Sequence, residues 1–267
     1  MTRQPAVAGQ FYPGKPERLT AFLRNAVPDD PHPLTAVGVV APHAGYVYSG
    51  GVAGKVFGRV AVPDACVLLG PKHTRLGARA AIVSRGAWAT PLGPVPIHEA
   101  LADAVKASCP LLEEDALAHA EEHSLEVEVP FLQYRNPRVR IVPIAFSLRS
   151  LAEIEEAGEG IAAALAGWPE PALLVASSDM THYEPDQQAR DKDARAIEKV
   201  LTLDARGLLE TTQRHDISMC GVIPAAVLLV AARRLGATRG ELVAYATSGE
   251  VSGDYGQVVG YAGMVVV

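Results

Sequence analysis

A chain of 267 residues that is 49% hydrophobic and 20% charged can bury a full core, and it is too apolar to be a disordered segment. A formal charge of −6 with no lysine or arginine cluster gives no electrostatic footprint for nucleic acid. The longest apolar run, Val222 to Ala232, is far short of the roughly 20 residues of a membrane span.

The opening stretch, MTRQPAVAGQFYPGK, has neither the apolar core nor the cleavage site of a secretory signal, so a cytoplasmic location is expected. Next come apolar runs at 36–41 (AVGVVA), 65–70 (ACVLLG), 80–84, 139–146, 172–178, 242–248 and 258–267. They are short, rich in β-branched residues and nearly continuous, as strands covered on both faces should be. Helical spacing fills 98–108, 122–135, 151–166, 186–210 and 220–235, while 85–97 (RGAWATPLGPVPI) has the prolines and glycines of a hairpin or excursion. The alternation predicts one α/β domain over residues 1–267, a three-layer αβα sandwich around a mostly parallel, mixed sheet. Three widely spaced cysteines argue against a disulfide framework.

In such sheets chemistry collects beyond the carboxyl ends of the strands. His43 follows the first run, His73 the second, and Asp179 with His182 the fifth. A lone rim histidine is as readily a structural residue as a ligand, but His43 and His73 leave strands that are successive in sequence. Two imidazoles on rigid strand ends suit iron, copper or zinc. A third ligand is expected from Cys220, which precedes an apolar helix whose N-terminus favours thiolate. Asp179 and His182, three residues apart, can act as an acid–base pair or orient a metal ligand; capping a turn is the plainer role. Cys66 and Cys109 read as small buried hydrophobes. His119 and His123 are four apart, but Ala120 stands where a zinc-protease helix needs glutamate. The segment 122–135 is expected as one amphipathic helix with His123 and Glu126 near the active-site end. His32, His98 and His215 are expected at the surface.

PAVAGQFYP (5–13), APHAGYVYSG (41–50), LGPKHT (69–74), EHSLEVEVPFLQ (122–133), SSDMTHY (177–183), MCG (219–221), TSGE (247–250) and VVGYAG (258–263) together resemble the Memo family. Its microbial members are labelled AmmeMemoRadiSam system protein B. The resemblance runs through nearly the whole chain and implies a fold like that of the class III extradiol dioxygenases. It also implies iron or copper, with zinc not excluded, on His43, His73 and Cys220, with Asp179 and His182 in the same pocket. Cysteine stands where such a dioxygenase uses a carboxylate, which makes the site softer. An aromatic rim would map onto Phe11, Tyr12 and Tyr48, and Tyr48 could donate a hydrogen bond into the pocket. The family name implies a pathway link to AMMECR-type and radical SAM proteins.

Three functions follow as expectations. The first is a redox-active metal protein or oxidoreductase acting on a small-molecule or protein substrate. The second is a metal carrier or protein-binding module. The third is a metal-free cysteine hydrolase with Cys220 as nucleophile, His182 as base and Asp179 as orienter.

Overall fold

The computed structural model describes residues 1–267. Its strands are β1 (Thr2–Arg3), β2 (Gly38–Ala41), β3 (Ala65–Pro71), β4 (Ala80–Ile82), β5 (Ala87–Thr90), β6 (Gly93–Pro96), β7 (Glu113–Glu114), β8 (Arg140–Phe146), β9 (Ala172–Ser177), β10 (His182–Glu184), β11 (Gly240–Thr247) and β12 (Val258–Val266). Its helices are α1 (Pro16–Ala26), α2 (Tyr46–Arg59), α3 (Glu99–Ser108), α4 (Leu117–Ala120), α5 (Val129–Arg135), α6 (Leu151–Ala166), α7 (Asp186–Leu201), α8 (Ala205–Arg214), α9 (Val222–Arg234) and α10 (Gly249–Ser252).

The apolar runs form the middle of the large sheet, whose order is β10-β12-β2-β9-β3-β8-β4-β7, with β11 paired to β12. The four central strands β2, β9, β3 and β8 are mutually parallel, and β12 and β4 run antiparallel on either side. Every residue of β2 and β3 is buried, as strands covered by helices on both faces require. One face packs against α3, α6 and α9 with α7 and α8 beside them; α1, α2 and α5 cover the other. The result is the expected αβα sandwich with a mixed sheet. Residues 87–96 make the expected hairpin, β5 and β6, and β1 joins it in a small second sheet.

Two expected helices are not continuous. The 186–210 pattern breaks after Leu201: Thr202 caps α7 through Glu198, Leu203 takes a left-handed φ of 54°, and the Asp204 carboxylate accepts the Gly207 N–H to start α8. Segment 122–135 is a short turn over 126–128 followed by α5, because Pro130 fits only the first turn of a helix. His98 is not at the surface. It caps α3, with Nδ1 accepting the Leu101 N–H at 3.3 Å and its ring edge against Trp168.

Candidate metal centre

β9 lies between β2 and β3, so the two histidine-bearing strands are not neighbours in the sheet, although they are successive in the chain. Parallel pairing aligns the carboxyl ends of all three strands, and the residues just beyond them meet: His43 after β2, Ser177 to Asp179 after β9 and His73 after β3. Cys220 comes from the opposite direction, one residue before the Gly221 cap of α9. A Cβ at Gly221 would lie 2.2 Å from the Ser177 carbonyl oxygen, so only glycine lets this segment approach the end of β9.

The donor atoms of His43, His73 and Cys220 lie within 4.8 Å of one another. His43 is 2% exposed; its Nδ1 faces Ser177 Oγ at 2.8 Å and its Nε2 faces Cys220 Sγ at 3.2 Å. His73 is more open, and its Nδ1 lies 2.8 Å from Glu122 Oε1 while its backbone N–H donates to the other Glu122 oxygen. Each ring therefore has Nδ1 engaged by a protein oxygen and Nε2 left as a ligand atom, the usual way an outer partner orients a metal-binding histidine. Burial alone would raise the Glu122 carboxyl, but hydrogen bonds from His73 and Ser124 hold it at about 2.

Burial keeps His43 neutral by driving its pKa well down, with His73 and His123 adding to the shift. Burial also pushes the Cys220 thiol up, and Asp179 pushes it further, so the expected depression by the helix N-terminus is overruled in the metal-free chain. A cation beside the sulfur would favour the thiolate. Asp179 accepts the backbone N–H groups of His43 and Ala44, yet burial raises its carboxyl to about 7. Its own N–H donates to Cys220 Sγ at 3.3 Å.

Asp179, His182 and Cys220 also have donor atoms within 4.8 Å of one another. His182 turns Nδ1 to the Ser218 carbonyl at 2.9 Å, leaving Nε2 free, and the next residue, Tyr183, has a φ of 61° that non-glycine residues rarely adopt. No hydrogen bond links Cys220 to His182 or His182 to Asp179 in the order a hydrolase would use: the Ser218 carbonyl engages His182 Nδ1, and His43 Nε2 faces the thiol. Tyr48 lies on the first turn of α2, 41% exposed, and its hydroxyl is near enough to raise the buried Tyr261 phenol. It is a rim residue. Phe11 packs against His123 with ring centroids 4.9 Å apart. Tyr12 does not belong to the rim: it is buried, with its hydroxyl donating to Glu126.

His123 is closer to the centre than its place in the motif suggested. It stacks on His73 at 4.7 Å, and Glu122 joins both in a third donor group. Glu126 instead faces away, accepting from Arg3 Nη1, the Ala6 and Val7 N–H groups and Tyr12. Ser177, Glu122, Ser218 and Glu128 carry the site's supporting contacts; the sequence signals for Glu122 were its adjacency to His123 and its place at the head of EHSLEVEVPFLQ.

A Memo-like protein family model matches residues 3–265. The chain belongs to the Memo family. A MEMO1 family protein of Methanopyrus kandleri is 46% identical over 99% of both chains, and one of Methanosarcina barkeri is 42% identical over 99% of both. The crystal structure of an uncharacterized protein from Escherichia coli K12 superposes with a TM-score of 0.57 at 14% identity, covering 85% of this chain and 98% of its own. That likeness concerns fold alone.

Proposed function

We propose that this Memo family protein binds iron or copper through His43, His73 and Cys220 and uses it in redox chemistry on a small molecule or protein. The observation that carries this reading is the meeting of one nitrogen from each of two imidazoles and one thiol within 4.8 Å, each imidazole having Nδ1 beside a protein oxygen. Two imidazoles and a thiolate form a soft donor set that suits copper and iron, and zinc fits its number and type. A bound redox metal would supply electron transfer or oxygen activation.

The chain's own residues do the remaining work. His43 arrives neutral, so it competes for metal without losing a proton. Cys220 gives up its thiol proton on binding; His43 Nε2, 3.2 Å away, is committed as a ligand and does not take it. Asp179, with a pKa near 7, can hold or release a proton beside the sulfur. His182 presents Nε2 for proton exchange with a substrate, and Tyr48 meets only the part of a substrate that reaches the rim.

The test is elemental analysis of protein purified without air or chelators. The expected result is near-stoichiometric iron or copper that is lost in His43→Ala and Cys220→Ser. Protein that is metal-free and cannot be loaded would overturn the reading. Stoichiometric metal without oxygen consumption on phenolic substrates would leave a metal carrier. A functional link to AMMECR-type and radical SAM proteins belongs to the same proposal, and is tested by co-purification from the native host.

A further inference from the structure

Ser177 closes β9 in full burial, and its single hydroxyl has three polar neighbours. They are the Ser124 carbonyl oxygen at 2.7 Å, His43 Nδ1 at 2.8 Å and Glu128 Oε1 at 3.0 Å. A hydroxyl donates once and accepts through two lone pairs. The carbonyl has no hydrogen to offer and makes the shortest contact, so the Ser177 proton goes there. The two remaining neighbours must both donate into the Ser177 oxygen. For His43 that places the hydrogen on Nδ1. For Glu128 it requires a carboxyl proton.

The surroundings of Glu128 agree. The residue is 0% exposed, and its Oε2 is buried with no hydrogen-bond partner. A carboxylate there would be a desolvated charge with a bare oxygen and no ion pair to a cation. Burial and the nearby Asp179 raise its pKa, against the Ser177 hydrogen bond.

We infer that Glu128 is held as a neutral carboxylic acid that donates to the Ser177 oxygen, and that Ser177, its own hydrogen on the Ser124 carbonyl, keeps His43 in the Nδ1–H tautomer. The Nε2 lone pair is then fixed toward Cys220. Were Ser177 to rotate its hydrogen from the Ser124 carbonyl onto Nδ1, the imidazole proton would move to Nε2, which could no longer bind a metal. That alternative leaves the Ser124 carbonyl without its partner and loses one hydrogen bond, while Glu128 occupies the remaining lone pair of Ser177 in either case. Glu128 touches neither metal site nor substrate space, so it is a positioning residue. Its significance for metal binding rests on the proposed function; its protonation does not.

The experiment begins on metal-free protein at pH 8. The infrared difference between wild type and Glu128→Gln should show loss of the C=O band of a protonated carboxyl, and ¹⁵N NMR of histidine-labelled protein should place the His43 proton on Nδ1. Glutamine can still donate into Ser177, so Glu128→Gln should keep copper affinity within a few-fold of wild type. Ser177→Ala should weaken it by about tenfold or more, and Glu128→Leu, which leaves the Ser124 contact in place, by less. If Glu128→Leu fails to fold, Glu128→Gln and Ser177→Ala still decide the matter. A difference spectrum with no lost protonated-carboxyl band, or a His43 proton on Nε2, overturns the inference. So does a Glu128→Gln protein that binds copper as weakly as Ser177→Ala. If wild type binds no metal at all, the metal reading fails, while the infrared and NMR results still decide whether Glu128 and His43 carry the assigned protons.

Discussion

Two sets of histidines in this protein share burial and a depressed pKa yet do different things. His43 and His123 stand at the ends of the parallel strands, whereas His98 and His119 sit in the body of the fold against Trp168 and Trp88. In the structural pair, one nitrogen meets the backbone: His98 Nδ1 takes the Leu101 N–H, and His119 Nε2 gives its hydrogen to the Ala81 carbonyl. Each leaves its other nitrogen buried without a partner, facing no second donor group. At the strand ends, His43 keeps Nε2 facing the Cys220 sulfur, and His123 shares a group of potential ligand atoms with His73 and Glu122. Desolvation is thus common to both sets; convergence of free ligand atoms separates them.

The largest expected effect separates the two sets outright. His43→Ala or Cys220→Ser should reduce bound metal at least tenfold, whereas His119→Gln should leave the metal stoichiometry unchanged; metal content per chain is the measurement. Glu122→Gln comes next. It keeps a hydrogen-bonding side chain beside His73 but removes the charge, and copper affinity in a competition titration should fall by about tenfold.

A third test reads stability. The pKa of His119 is lowered from 6.5 to about 4 by burial, so its unfolded form takes up a proton first as the solution is acidified. Its contribution is complete above pH 6.5, falls between 6.5 and 4, and levels off below that. The total is up to about 3 kcal/mol, from the relation between pKa shift and free energy. Urea unfolding across that range should show a shallower slope in His119→Gln; an unchanged slope would remove His119 from the account. The smallest expected effect is at the rim, where Tyr48→Phe should alter neither metal content nor stability by more than about 0.5 kcal/mol.

Much of this arrangement was legible in the sequence because strand exits are local signals. AVGVVAPH and ACVLLGPKH state a buried strand and its first polar residue within a few positions, and Cys220 precedes an apolar helix just as plainly. What escaped was long-range. The order β2-β9-β3 depends on chain crossovers rather than on adjacent residues, so Ser177's place between the two histidines was hidden. Glu122 supports a histidine 49 residues away, and Glu126 holds an N-terminal arm through Arg3, 123 residues away. The break at Leu203 was masked because a leucine continues the apolar spacing whether its φ is helical or left-handed.

The position of β9 also sets a timetable. His43 and Cys220 are 177 residues apart, which corresponds to roughly 10–35 s of synthesis at the usual elongation rates. During that interval β2 and β3 exist without the strand that lies between them in the finished sheet. The two histidines therefore wait on an unfinished scaffold until β9 and then the cysteine have been made. On the proposed metal-binding reading, the complete three-residue set would take up metal only after residue 220 has been made, from the ions available at that point.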